Sequence, residues 1–229
     1  MKKIVIYTVI TGGYDNLVDP EVVEPGFDYV CFTDNVSGLK SDVWDIRPLP
    51  EWCLTVTPDK RQRMLKILAH LVFPEYKMSL YIDGNIKIVG ELTSLAKEVF
   101  NDRKFKIAIQ KHPVRNDIYN EAIEILKTRK DTPERVTRQT DRYFKEGFPV
   151  GEGGLFETCI MFRKHMTKDC IKLMEKWALE IMIGSHRDQL SLTYAMWKTG
   201  VKVEFLPSWL KTSNAFMISY GHIGERKRK

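Results

Sequence analysis

The sequence predicts an α/β fold, with the strands of a sheet covered by helices, and three observations carry that prediction. Short apolar and β-branched runs recur along the chain, and helical patterns with start and stop signals stand between them. The length of 229 residues, 43% of them hydrophobic, suits one sizeable domain.

The first strand, Lys3 to Ile10, runs into Thr11-Gly12-Gly13-Tyr14-Asp15, and the second, Tyr29 to Thr33, runs into Asp34. A helix follows Thr57: Pro58 sits at its first position, Met64, Ile67, Leu68 and Leu71 share a face, and Phe73-Pro74 stops it. Lys66 faces differently from Met64 and Ile67, free to reach a ligand's phosphates. The next run, Ser79 to Val89, is built for burial yet carries Asp83-Gly84-Asn85 in its middle. Two readings stand open there: a β-hairpin turn, or a strand that ends on a ligand. Lys106 to Gln110 is the next strand, and Thr132-Pro133-Glu134 opens a helix that Gly147 ends. GFPVGEGGLF, residues 147–156, reads as a mobile loop before the strand Leu155 to Phe162, beside which Glu157 and Arg163 are expected to form a buried ion pair. A helix from Thr167 carries Ile171, Met174, Trp177, Ala178 and Ile181 as core, and another opens on His186-Arg187-Asp188-Gln189 and closes at Gly200. Val201 to Leu206 is a last strand before the tail SYGHIGERKRK.

Composition narrows the function. The four cysteines show no CxxC or Cys/His spacing, so neither a disulfide framework nor a zinc site is expected, and a reducing, cytoplasmic setting is. No stretch reaches the roughly 20 apolar residues of a membrane span. The net charge of +6 favours phosphate-bearing partners.

The chemistry gathers where strands stop, the place at which open α/β sheets hold ligands. Thr8, Thr11, Gly12, Gly13 and Tyr14 at the end of the first strand let the backbone approach a ligand and offer a stacking face, and Asp34 offers an acceptor for a ribose hydroxyl or base NH. Asp83 and Asn85, two oxygen donors around the unobstructing Gly84, suit a hard divalent cation, Mn²⁺ or Mg²⁺. His222 is a possible third ligand, and His112, Arg115 and Glu121 form a polar set for the sugar or acceptor side.

The run RMLKILAHLVFPEYKMSLYIDGNIKI, with TGGYDNL upstream and KHPVRNDIYNEA, ETCIMFRKH and HRDQLSLTY downstream, resembles the glycosyltransferase-like family typified by plant mucilage-associated proteins. Bacterial surface-polysaccharide enzymes and a chlorovirus capsid glycosyltransferase are similar to it as well. The resemblance implies a single GT-A domain over residues 1–229 with a mixed, mainly parallel sheet, residues 1–90 forming the nucleotide-binding half and 91–229 the sugar and acceptor half. It implies transfer from a UDP-sugar to a glycan hydroxyl at a site like that of the retaining family 8 enzymes, in which Asp83 and Asn85 replace the Asp-x-Asp metal motif and Lys66 contacts the donor. HIGERK resembles that family's ending, which would make His222 a metal ligand and Lys227 a diphosphate contact. Asp188 would position the sugar, with His112 and Arg115 beside it, or act as base if the reaction inverts. The expected partners are a nucleotide-sugar, UDP-glucose or UDP-rhamnose, and a glycan or glycoprotein acceptor, not nucleic acid. A nucleotidyltransferase of similar fold and an inactive carbohydrate-binding module are the alternatives.

Overall fold

The computed structural model describes residues 4–101, 106–151, 153–207, 210 and 217–221. The strands are β1 (Ile4–Ile10), β2 (Phe27–Thr33), β3 (Asp45–Pro48), β4 (Ser79–Ile82), β5 (Ile86–Ile88), β6 (Ile107–Lys111), β7 (Phe156–Arg163), β8 (Glu204–Phe205) and β9 (Met217–Ser219). The helices are α1 (Glu51–Leu54), α2 (Pro58–Ile67), α3 (Ala69–Val72), α4 (Leu92–Asn101), α5 (Ile118–Lys127), α6 (Pro133–Lys145), α7 (Lys168–Ile183) and α8 (Gln189–Thr199).

Seven of the strands make one sheet in the order β3-β2-β1-β4-β7-β6-β8. Four neighbouring pairs are parallel, and β7 runs antiparallel to both β4 and β6, so the sheet is mixed and mainly parallel. Alternation along β1 builds the two layers. Val5, Tyr7 and Val9 pack against Met64, Leu65 and Ile67 of α2 and Leu173 and Trp177 of α7. Ile6 and Ile10 face the other way, toward Leu80, Ile82, Ile86, Ile88, Leu92 and Met217. A third apolar cluster joins α5, α6 and α8 through Ile118, Val136, Tyr143, Phe148 and Tyr194.

Two local expectations are corrected. Residues 79–89 are neither one strand nor a hairpin: β4 belongs to the large sheet, whereas β5 pairs antiparallel with β9 in a separate ribbon. Asp83-Gly84-Asn85 is the corner between them, closed by Ile86 N–H donating to Asp83 O at 3.0 Å. The helix after Thr57 does not run on to Phe73 but breaks at Leu68 (φ −90°, ψ 47°). The cause is Arg163, which is wholly buried and whose Nη1 donates to the carbonyls of Lys66 (2.9 Å) and Ile67 (3.0 Å). These are carbonyls at the end of α2, where helical partners run out, and the guanidinium takes that role. Arg163 therefore serves α2 and not Glu157, which stands at the far end of β7, about 20 Å along an extended strand.

Candidate active site

The parallel strands β1, β2 and β4 end on the same edge of the sheet, and β6, parallel to β4 through two antiparallel steps, ends there too. Gly84 brings two of these ends together: a Cβ on it would lie 2.8 Å from Ile10 Cγ1 and 3.2 Å from Asp15 Cβ. Gly12 and Gly13 both take left-handed φ, +63° and +60°, a turn that favours glycine. Gly12 N–H donates to both carboxylate oxygens of Asp34, at 3.1 and 2.9 Å, so Asp34 ties the end of β2 to the turn after β1. Thr11 accepts through its carbonyl from Tyr14 N–H, and Thr8 is buried within β1 with an unpartnered hydroxyl oxygen.

The centre of the site is Lys66. Its ammonium lies 2.7 Å from Asp188 Oδ2 and 3.4 Å from Asp83 Oδ1, and it donates to Thr158 Oγ1 at 3.0 Å. Thr158 in turn donates to Asp188 Oδ2 at 2.9 Å, and Tyr81 donates to Asp83 Oδ1 at 2.7 Å while accepting from Gln62 Nε2 at 2.6 Å. The sequence spacing explains part of this. Tyr81 lies on β4 and Asp83 one residue past its end, two positions on, where its carboxylate meets the Tyr81 hydroxyl, and Gln62 and Lys66 are one helical turn apart on α2. Asp188 comes from the turn before α8, where its Oδ1 accepts from Gln189 N–H at 3.1 Å and its carbonyl accepts from Trp177 Nε1 at 3.0 Å.

Burial pushes the Asp188 carboxyl up, but Lys66 foremost, then Arg63, and also Arg187, more than offset that and hold it well below the usual carboxylate range. Burial, and next the Asp83 charge, push the Tyr81 hydroxyl well above its ordinary value, so it stays a proton donor to Asp83. The result is a largely buried network of carboxylates, ammonium and hydroxyls in which Asp188 is held ionised and Tyr81 stays protonated.

Asn85 serves the corner: its Nδ2 donates to Tyr220 O at 2.5 Å, and its carbonyl accepts from Tyr220 N–H at 2.8 Å. That leaves Asp83 Oδ2 and Asn85 Oδ1 without hydrogen-bond partners among the described residues, two oxygens of the kind Mg²⁺ and Mn²⁺ take. Among the described residues no group of three His, Cys, Asp or Glu side chains is placed to hold a metal. His222 and Lys227 lie outside the described residues.

His112, Arg115 and Glu121 gather in a second cluster after β6. Arg115 Nε donates to the buried Glu121 at 2.7 Å, and Arg115 N–H donates to His112 Nδ1 at 2.9 Å. Arg115 is thus paired with Glu121 and not with the Lys66 network.

Sequence reasoning missed Tyr81, Gln62 and Thr158. Strand and helix periodicity next to Asp83 and Lys66 was a usable signal for the first two. Thr158 had none, because its orientation depends on a register shift: Ile109 of β6 pairs with Met161, the next residue Gln110 pairs with Glu157, and the intervening part of β7 bulges out to follow β4.

The profile of the family described as "TOD1/MUCI70, glycosyltransferase-like domain" matches residues 54–220. The chain belongs to this family. The matched span contains Lys66, Asp83, Asn85, His112, Arg115, Thr158 and Asp188, and leaves out the turns after β1 and β2. A curated relative, the "Probable hexosyltransferase MUCI70" of Arabidopsis thaliana, is 24% identical over 176 residues, covering 71% of this chain. The aligned part is 29% of that relative's own length. Among solved structures, mouse xyloside xylosyltransferase 1 in its apo form is similar over 90% of this chain and 89% of its own, with 12% identity and a TM-score of 0.49.

Proposed function

We propose that this chain transfers a hexosyl group from a UDP-sugar to a hydroxyl of a glycan, with a divalent cation at the donor and with retention at the anomeric carbon. The observation that supports this best is Lys66 held between Asp83 and Asp188 at the carboxyl edge of the sheet, in a family described as glycosyltransferase-like. Asp83 and Asn85 are the donor-side pair, and the glycine-rich turn after β1 lies on the same edge for the nucleotide. Asp83 and Asn85 would hold the cation, which would supply charge stabilisation for the departing diphosphate.

The transfer breaks the bond between the anomeric carbon and the β-phosphate oxygen and forms one between that carbon and the acceptor oxygen. The acceptor's proton ends on the UDP that leaves. Asp188 is a poor general base for this, because a carboxylate whose affinity for protons is so depressed has little drive to take one near neutral pH. Its suited role is to hold the sugar's hydroxyls while the phosphate oxygen receives the proton, the front-face route to retention.

The test is calorimetric titration of UDP with Mn²⁺ and with chelator, into wild type and Asp83→Ala, followed by donor screening with UDP-glucose and UDP-rhamnose. Metal-dependent binding lost in the variant, with UDP as released product, is the expected result. Pyrophosphate release, or no binding of UDP under any condition, refutes it.

A further inference from the structure

Two cations beside Asp188 have no task in the reading so far. Arg63 stands one helical turn before Lys66 on α2, and Arg187 immediately precedes Asp188. Both are half-buried, and the Nε–H of each is shut off from water with no hydrogen-bond partner. Among the described residues neither guanidinium has a close ion pair. The other basic residues of α2 differ: Lys60 donates to Met182 O at 2.8 Å, and Arg61 donates to Val56 O and Leu54 O, both at 2.9 Å. Buried donors in native proteins nearly always have acceptors; Arg163 Nε is open too, but deep in the core, whereas Arg63 and Arg187 are partly exposed and both act on one carboxylate, Asp188.

The charge count points the same way. Lys66, Arg63 and Arg187 stand against Asp83 and Asp188, and the two carboxylates already share Lys66. The surplus is positive, in a setting where an unpaired charge is costly. A guanidinium presents a planar fork that matches a phosphate or carboxylate oxygen pair, which water does not. Both arginines help hold Asp188 in its ionised form.

We propose that Arg63 and Arg187 form an oxyanion-binding subsite beside Asp188 that grips the anionic part of the nucleotide-sugar. The anion is a phosphate oxygen of the diphosphate or a carboxylate carried by the sugar, the shared chemistry being an oxygen pair facing a guanidinium fork. The proposal rests on the donor reading above and extends it to residues with no assigned role.

The experiment is calorimetric titration of uridine, UDP, UDP-glucose and UDP-glucuronate into wild type, Arg63→Gln, Arg187→Gln and the charge-keeping Arg63→Lys and Arg187→Lys. Each Gln substitution is expected to weaken its ligand about tenfold, the loss of one charge-assisted contact, with the Lys variants intermediate. Loss of UDP affinity with uridine binding unchanged assigns the subsite to the diphosphate. Unchanged UDP affinity, with a wild-type preference for UDP-glucuronate over UDP-glucose that the Gln variants lose, assigns it to a sugar carboxylate. All ligands binding the Gln variants as they bind wild type overturns the subsite and leaves the donor reading standing. Wild type that binds no uridine nucleotide removes both. Should a Gln variant fail to fold, as a thermal melt would reveal, its Lys counterpart carries the same comparison.

Discussion

Lys66→Met is the perturbation that the geometry makes most informative. The lysine side chain is 4% exposed and the Asp188 side chain 7%, with 2.7 Å between Nζ and Oδ2. Removing one partner of a buried pair costs about 3–5 kcal/mol where it strands the other charge; Arg63 and Arg187 remain to act on Asp188, so the low end, about 3 kcal/mol, is expected. For a domain of this size that lowers Tm by roughly 10 °C. Methionine keeps the bulk of the lysine stem, so the loss comes from the ammonium and not from a cavity. The pH dependence follows from the carboxylate. In wild type the folded pKa of Asp188 lies below the unfolded value of about 3.9, so its contribution to stability is present above that pH and is lost only as pH falls through the depressed folded value. Without Lys66, burial, the largest single influence on Asp188, is opposed only by Arg63 and Arg187, so the folded pKa rises from its depressed value. The penalty is then relieved by protonation, and the gap between variant and wild type narrows as pH falls from about 7 to about 4. Urea unfolding at both pH values, with Lys66→Met, Asp188→Asn and the double variant as a cycle, reads this out. The double variant is expected to regain most of the loss at neutral pH. A cost below about 1 kcal/mol with no pH dependence would mean that the pair is solvated and worth no more than a surface ion pair, and the account of the site would fall.

Two further outcomes are expected. Gly84→Ala places a methyl 2.8 Å from Ile10 Cγ1 and 3.2 Å from Asp15 Cβ, so the corner must open. A loss of about 1–3 kcal/mol in urea unfolding, accompanied by weaker UDP binding as Asp83 shifts, checks it, and unchanged stability refutes the close approach. His165 is 1% exposed, with Nε2 3.0 Å from Phe73 O, and burial pushes its pKa down to about 4. Because the unfolded state takes up protons first, stability declines by about 3 kcal/mol as pH drops from about 6.5 to about 4, and His165→Gln should flatten that slope in urea midpoints. An unaltered slope assigns the acid sensitivity to other groups, such as His70, whose pKa burial also lowers.

What was legible in the sequence was local. The alternation of KIVIYTVI, the glycines after it, the polar start of α8 and the misplaced acid in SLYIDGN depend on residues within a few positions of one another, and each marks a feature of the structure. What was not legible depends on partners far apart in the chain. The pairing of Ile86 with Ser219 turns an apparent single strand into a corner between two sheets. The break at Leu68 needs Arg163, and the aim of Thr158 needs a bulge set by β4 and β6 together. Helical propensity alone favoured continuing α2, and tertiary hydrogen bonding overrode it.

Arg163 shows how the fold and the site are joined. A buried arginine at the end of a strand is expensive unless most of its donors are met, and here the Nη groups are met by the carbonyls of Lys66 and Ile67, the Met174 sulfur and the Tyr7 hydroxyl, only Nε being without a partner among the described residues. Tyr7 also donates to Lys66 O at 2.6 Å, so the backbone of one residue is held by two side chains from two strands. That residue is the one whose ammonium meets Asp83, Thr158 and Asp188. Clamping the backbone at Lys66 fixes where the side chain begins, and the packing of Tyr81, 5.0 Å from ring centroid to Nζ, fixes where it ends. A lysine tethered at only one end would lose that precision to rotamer freedom, and charge stabilisation in any ligand site depends on the charge being in place before the ligand arrives. The polar network of the site is therefore an outgrowth of the core beneath it: the same buried cation that ends α2 sets the position of the ammonium that organises the two carboxylates.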